Sequence, residues 1–276
     1  MEFGAAKKIC QKYQISPLRR RGQNFLVNQR ILEKIIEVAG LKKGDIILEI
    51  GAGFGTLTKE LAKKVKKVLA VEIDKKLIEI LRENLGNCKN VEIICDNILE
   101  FQAASYKLQD YKIVANLPYN ITGAILRKFL TEKPKPNLMV LMIQKEVAER
   151  ICAKPGKMSL LSVMVQFYGQ PKIIQIVSKN NFWPRPKVDS AILSISQIGV
   201  DKKYRLTQIN EKKFFQLVRQ GFSSPRKCLI NNLAKIMEKE KIKEIFQKIN
   251  LNTKIRAQEL SIENWIKIYE KQFSQN

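Results

Sequence analysis

Histidine is absent from all 276 residues. That absence excludes a Ser-His-Asp or Cys-His relay, a histidine-bearing zinc site and any imidazole general base. Cysteine is sparse: Cys10, Cys88, Cys95, Cys152 and Cys228 are scattered, with no C-x-x-C pair. Such spacing builds neither a zinc cage nor a disulfide framework and suits a reducing cytosol, so no metal is expected. No uninterrupted apolar run reaches membrane-spanning length, and a soluble, cytoplasmic chain is expected. Acidic residues are also short, with 26 Asp+Glu against 50 Lys+Arg, a formal charge of +24 and an isoelectric point near 9.8. An excess that large implies a polyanionic partner. Lys-rich or heat-adapted proteomes also inflate Lys, but they raise Glu in step, and here the acids lag.

What is present is a repeating pattern. Residues 30–39 place apolar side chains at helical spacing, with Gly40 as a natural C-terminal cap. Short apolar strands are then predicted at 46–50, 68–71, 91–95, 111–115 and 138–143, with helices at 56–66, 75–84 and 122–130. This alternation predicts βαβ units and a parallel sheet covered on both faces, an α/β Rossmann-like class. A helix at 160–168 and late strands at 173–177 and 191–196 follow, around a Pro-bearing loop, 181–187. After about Val200 only helical patterns remain, at 211–220, 226–238, 240–249 and 259–270, with 17 Lys+Arg and 8 Asp+Glu from residue 201 onward. The expected organisation is a basic N-terminal arm at 1–28 belonging to the catalytic domain, that domain at 29–199, and a smaller all-helical, nucleic-acid-binding domain at 200–276.

The strand ends carry the chemistry. Gly51-Ala-Gly-Phe-Gly55 follows the first strand and opens a helix, as a nucleotide-like cofactor site requires. The glycines alternate, unlike the G-x-G-x-x-G of a dinucleotide site, and Glu49 sits just before them, which suits a cationic ligand better than a phosphate. Glu72 lies 21 positions after Gly51, where a carboxylate accepts ribose hydroxyls, and Asp96 closes the third strand within reach of an adenine amine. The pattern resembles class I S-adenosylmethionine-dependent methyltransferases. Asn116-Leu-Pro-Tyr119 ends the fourth strand, because Pro118 lacks an N–H and fixes φ. An adenine N6 amine is a poor nucleophile, its lone pair being conjugated into the ring. Two acceptors, the Asn116 side-chain oxygen and the Pro118 carbonyl, can each take one N–H and free that lone pair for in-line attack on a methyl group. No strong base is needed, since the amine sheds its proton after transfer. Tyr119 is expected to stack on the base, with Phe182 or Trp183 closing its other face.

Taken in order, the segments Gly22-Gln-Asn-Phe-Leu26, Glu49-Ile-Gly-Ala-Gly-Phe-Gly-Thr-Leu-Thr58, Val71-Glu-Ile-Asp74, Asp96, Asn116-Leu-Pro-Tyr-Asn120, Gln144-Lys-Glu-Val-Ala148, Phe182-Trp-Pro-Arg-Pro-Lys-Val-Asp-Ser190 and Arg226-Lys227 with Leu229, Asn232 and Leu233 match one family. The chain resembles the KsgA-type (RsmA) small-subunit rRNA adenine dimethyltransferases, relatives of the Erm enzymes, from about residue 13 to 270. The resemblance implies S-adenosylmethionine as donor, held by Gln23, Asn24, Leu26, Glu49, Gly51, Gly53, Glu72, Ile73, Asp96, Asn97 and Asn116. It implies N6,N6-dimethylation of two adjacent adenines in the 3′-terminal hairpin loop of small-subunit rRNA, within an immature small ribosomal subunit. The basic N-terminal stretch is then an arm of the enzyme rather than a cleaved presequence. Arg19, Arg20, Arg21, Lys187, Arg226 and Lys227 are the expected RNA contacts, and a monomer is the default. Pro225, where a further basic residue is usual, and Asn97, where a small residue often follows the acid, depart from the pattern. Three alternatives stand beside this reading. An Erm-type large-subunit enzyme would show Ile or Val in place of Leu117; a mitochondrial transcription-factor relative would have lost cofactor residues. The third is a factor that acts chiefly as a non-catalytic assembly checkpoint.

Overall fold

Continuous apolar runs such as Ile46–Ile50 and Leu138–Gln144 lack the in-out alternation of a half-solvated strand, so they must be covered on both faces. The computed structural model describes positions 8, 10–13 and 15, then 22–199 and 209–273. It divides the chain into two units: 1–148 with 170–199, and 149–169 with 200–276.

The first unit contains β1 (Phe25–Leu26), α1 (Gln29–Ala39), β2 (Ile46–Ile50), α2 (Thr56–Ala62), β3 (Lys67–Glu72), α3 (Lys75–Leu85), β4 (Val91–Cys95), β5 (Tyr111–Asn116), α4 (Thr122–Thr131) and β6 (Leu138–Gln144). After α5 (Lys145–Ile151), in which the chain passes to the second unit, it returns with β7 (Gln170–Val177), β8 (Phe182–Trp183) and β9 (Ser190–Ser196). Seven strands form one sheet in the order β4-β3-β2-β5-β6-β9-β7. The first five are parallel, as the alternation predicted, whereas β9 runs antiparallel to both β6 and β7. The order reverses between β2 and β5, and ligands bind beyond the carboxyl ends of strands at such a switch point. Gly51 and Asn116 leave the sheet side by side there.

Local chemistry fixes the entry and exit of α1. Asn28 caps it, accepting from the Arg30 and Ile31 N–H groups at 2.9 and 3.3 Å, a contact worth about 1 kcal/mol. At its other end the Lys112 ammonium on β5 donates to the Ala39 and Gly40 carbonyls at 3.2 and 3.0 Å and pairs with Asp45 at 2.7 Å. The Asn28 amide also donates to the Asn181 side chain at 2.7 Å, and β1 pairs with β8. The Pro-bearing loop is thereby stitched to the segment before α1.

The second unit is helical: α6 (Leu160–Tyr168), α7 (Glu211–Gly221), α8 (Leu229–Leu233), α9 (Lys239–Lys248) and α10 (Ile262–Phe273). Residues 160–168 were expected inside the catalytic domain, yet they group with the C-terminal helices. The reason is aromatic. Phe167 stacks on Phe214 with centroids 4.8 Å apart and meets Phe215 edge-on at 5.2 Å, while the Tyr168 hydroxyl donates to Glu211 at 2.5 Å. The helix expected over 226–238 is reduced to α8. Asn232 explains part of this: its side-chain amide turns back to donate to the Gly221 and Ser224 carbonyls at 2.6 and 3.0 Å, fastening the loop ahead of the helix.

Candidate active site

Because β2, β3, β4 and β5 are neighbours in parallel register, the residues that end them stand in a row. Glu72 is opposite Cys95, so Asp96 follows one step beyond, and the loop after Ile50 lies between β3 and β5. A cleft opens along this row. Its lining includes Gln23, Asn24, Gly51, Gly53, Glu72, Ile73, Asp96, Asn97, Asn116 and Pro118. Ten of the predicted site residues therefore converge. Phe25, Leu77, Ile98 and Ile121 also line it and were not singled out from the sequence. Phe25 could have been found, since it stands inside the Gln-Asn-Phe-Leu segment; the other three carry no signal beyond apolarity.

Glu72 is 7% exposed and gripped by backbone: Gly53, Ile73 and Asp74 donate their N–H groups at 3.0, 2.9 and 3.0 Å. Burial still raises its carboxyl above the ordinary range, against the pull of those donors. Oε1 takes two of these bonds and Oε2 takes one, so Oε2 keeps a lone pair for a further donor. Ile73 beside it is 53% exposed, an uncovered apolar face in the cleft. Asn97 is occupied locally, accepting from the Leu99 N–H at 3.1 Å and donating to Glu100 at 2.8 Å. The residue that departs from the family pattern thus caps its own turn.

Glu49 behaves differently. Side chains alternate along a strand, so Glu49 and Ile50 point to opposite faces. Ile50 lines the cleft, whereas Glu49 and Leu26 line a smaller adjoining cavity with Phe25, Phe54, Gly51, Gly53 and Asn116. Glu49 is 2% exposed, and its Oε2 has no hydrogen-bond partner. Burial first, then the neighbouring Glu72 charge, pushes its carboxyl up to about 8, although Thr58 pulls the other way. A buried acid with a free oxygen stores a preference for a cation.

The segment before α1 roofs this region. Gly53 has φ +59, and a Cβ there would stand 3.1 Å from the Phe25 ring, which stacks on Phe54 at 4.0 Å. Gly22 has φ +66 and leaves room for only 3.1 Å to the Tyr119 backbone N. Glycine is required at both positions by conformation and by space. Gln23 donates to Asp74 at 3.1 Å, and farther up the chain Cys10 and Ile15 pack with Leu77 and Ile80 of α3. Lys12 and Tyr13 both reach Glu83 of the same helix. Arg19, Arg20 and Arg21 lie outside the described residues.

Asn116 lines both the cleft and the adjoining cavity. Its side-chain NH₂ donates to the Asn24 carbonyl at 2.8 Å. A carbonyl can only accept, so this bond sets the amide's orientation and leaves Oδ1 as the outward acceptor. The Pro118 carbonyl accepts two long bonds, from the Ile121 N–H at 3.3 Å and from the Thr122 hydroxyl at 3.5 Å, and the hydroxyl has the Tyr119 carbonyl at 3.4 Å as its alternative. Tyr119 lies outside the lining of both cavities, half-buried, its hydroxyl 2.7 Å from Ser190 Oγ. Burial raises its phenol above the ordinary range, against that bond.

Phe182 corrects an expectation. It is fully buried and packs in the core with Leu26, Leu32 and Ile192, so it offers no ring face to a base. In the β1–β8 pair it stands opposite Leu26, while Trp183 stands opposite Phe25, half-buried with its ring 6.5 Å away. Lys187 is exposed in the first unit, and Arg226 and Lys227 are exposed in the second, next to Pro225. Among the described residues no cluster of His, Cys, Asp and Glu forms a metal site, and no helix is long and apolar enough to cross a membrane.

Comparison with known proteins places this geometry in context. The family model described as Ribosomal RNA adenine dimethylase matches residues 18–272. The chain is 41% identical over 267 residues to a Ribosomal RNA small subunit methyltransferase A of Dehalococcoides mccartyi, covering 95% of this chain and 91% of that protein. It is 40% identical over 267 residues to one of Clostridium botulinum, covering 95% and 96%. Among solved structures, a dimethyladenosine transferase from Plasmodium falciparum aligns with a TM-score of 0.74 and 27% identity, over 88% of this chain and 95% of that one. The 23S rRNA methyltransferase ErmE aligns with a TM-score of 0.73 and 25% identity, over 90% and 99%.

Proposed function

Since the chain belongs to the ribosomal RNA adenine dimethylase family, we propose that it transfers methyl groups from S-adenosylmethionine to N6 of two adjacent adenines in the 3′-terminal hairpin loop of small-subunit rRNA. The curated relatives matched at about 40% identity are named for the small subunit, whereas the Erm structure is 25% identical, and Leu117 stands where an Erm-type enzyme has Ile or Val. The reading takes the enzyme as a monomer working in the cytoplasm on an immature small subunit.

The residues fit that cofactor. The orphan oxygen of Glu49 suits its positive end. Glu72 has acceptor capacity for ribose hydroxyls, and the uncovered Ile73 suits one face of an adenine, with Asp96 nearby to accept from its amine. Gln23, Asn24, Gly51 and Gly53 complete the enclosure. When bound, S-adenosylmethionine supplies a methyl group carried on a positively charged sulfur.

The observation that carries the mechanism is the Asn116 amide, pinned by its NH₂ with Oδ1 left free. Asn116 Oδ1 and the Pro118 carbonyl each accept one N–H of the target adenine amine. The nitrogen is drawn toward tetrahedral geometry, and its lone pair is released from the ring. Placing the acceptors in advance lowers the barrier because they need not reorganise during reaction. The protonated product amine is acidic and gives its proton to water, so a chain without histidine needs no dedicated base. Tyr119 supplies the stacking surface for the extruded base. RNA is the substrate class because its loops offer unstacked bases. Lys187, Arg226, Lys227 and the arginines 19–21 contact phosphate.

The test is incubation of wild type and Asn116→Ala with labelled donor and under-methylated small subunits, then mapping of the label on the rRNA. The wild type labels the two adjacent adenines; the variant binds subunits with near-normal affinity and transfers nothing. Normal transfer by Asn116→Ala would overturn the mechanism. Subunit maturation that depends on the protein yet survives that substitution would favour the checkpoint role.

A further inference from the structure

Ser190 is fully buried at the first position of β9, held between Gln144 of β6 and Val177 of β7. A side chain on the middle strand of three has little freedom to move. Tyr119, by contrast, opens a single 3₁₀ turn immediately after β5, three residues beyond Asn116. Its backbone is set by Pro118 and by a long 3.3 Å bond from the Ile121 N–H to the Pro118 carbonyl. Such a short turn does not by itself fix a ring plane. The 2.7 Å contact between the Tyr119 hydroxyl and Ser190 Oγ joins this turn, across the end of β6, to the rigid strand. Each hydroxyl would be costly to bury alone, and each finds its partner in the other.

We propose that Ser190 is a positioning residue for methyl transfer: through the Tyr119 hydroxyl it fixes the angle of the tyrosine ring, and so of a base stacked on it, relative to the Asn116 oxygen. This rests on the stacking role given to Tyr119 above. It also gives that tyrosine's hydroxyl a purpose that stacking alone does not, since a phenylalanine would stack equally well. A base held at the wrong angle still binds, but its amine reaches the two acceptors in fewer attempts. The loss therefore falls on kcat rather than on KM.

Ser190→Ala and Tyr119→Phe remove the same hydrogen bond from opposite ends, and neither leaves a large cavity. Each is assayed with under-methylated small subunits well below its melting temperature. Loss of one such bond in the transition state corresponds to roughly a 5- to 10-fold fall in kcat. We expect that fall in both single variants, an unchanged KM for subunits, and a double variant no slower than either single. A wild-type kcat in Ser190→Ala, losses that multiply in the double variant, or a change confined to KM would overturn the inference. Asn116→Ala in the same assay separates the two levels. If it is inactive while Ser190→Ala is unimpaired, only the role of Ser190 falls; if it too transfers normally, the adenine-amine mechanism falls first.

Discussion

Replacing Glu49 with Gln should make the protein more stable and worse at its task. Glu49 is buried with an unpartnered oxygen, and its carboxyl is pushed up to about 8 from an ordinary value near 4.5. Between those values the unfolded chain has lost the proton while the folded protein keeps it. The folded state binds more protons, so stability falls as pH rises through that window, by about 1.4 kcal/mol per unit. At pH 7 the accumulated cost is on the order of 3 kcal/mol, and at pH 5 it is under about 1 kcal/mol. Gln copies the shape of the protonated acid and titrates nowhere. Glu49→Gln should therefore melt roughly 6–12 °C above wild type at pH 7, with a gap that closes toward pH 5. Ligand binding should show the converse. A cation entering beside Glu49 favours the ionised form, so wild-type affinity for S-adenosylmethionine rises with pH up to about 8. The variant should bind more weakly, with a flat pH profile. Scanning calorimetry at pH 5, 7 and 8 and titration calorimetry with the donor make the measurements. A stability gap independent of pH, or parallel binding profiles, would refute the reasoning.

Three further outcomes follow from named contacts. Arg226→Ala with Lys227→Ala should reduce the slope of log affinity against log salt by roughly 1.4 to 1.8 in RNA-binding titrations, with Asn232 still holding the loop. A Cβ at Gly221 would stand 2.3 Å from the Trp265 ring and 2.9 Å from Leu229. Gly221→Ala should thus destabilise the helical unit by about 1–3 kcal/mol, read as a lower urea midpoint of Trp265 fluorescence in a Trp183→Phe background. Lys112→Met strands the Ala39 and Gly40 carbonyls and the Asp45 carboxylate, at a cost of about 1–3 kcal/mol at pH 7. Although burial raises it, Asp45 is held below the ordinary range by Lys112 and the Lys42 N–H, so its stabilising effect is present above the ordinary carboxylate range and lost as pH falls through the lowered value. Denaturant midpoints at pH 7 and pH 3 should accordingly converge in the variant.

The parallel half of the sheet was legible because strands covered on both faces must be written as unbroken apolar runs, and helices between them force right-handed crossovers. The direction of β9 was not, since a strand buried between two neighbours has the same composition whichever way it runs. The helix 160–168 was legible as an element, but its grouping with the C-terminal helices was not. Its partners, Phe214 and Phe215, lie some fifty residues away, and periodicity reports which face is apolar, not what covers it.

Within the site, legibility followed the strand ends. Gly51, Glu72, Asp96 and Asn116 each close a strand, and parallel pairing alone brings such residues into one row. Residues whose role depends on side-chain direction were less accessible. Glu49 was expected beside the cofactor; alternation along β2 turns it into the cavity that adjoins the cleft, where burial is the main influence on its proton, and neither fact is written in the sequence. The Phe182–Trp183 pair makes the same point. Two adjacent aromatics before a proline are equivalent in sequence, and a two-residue strand must send them to opposite faces. Pairing with Leu26 and Phe25 decides which ring enters the core. That pairing is set by the segment before α1, about 155 residues away. Ser190 closes a segment that the sequence singled out, yet its contact was hidden for a related reason. Nothing in that segment names the serine's partner until Tyr119, seventy-one positions earlier, is found at its hydroxyl. Sequence therefore named groups that line the cleft, while the contacts that brace them emerged only when distant strands were seen in register.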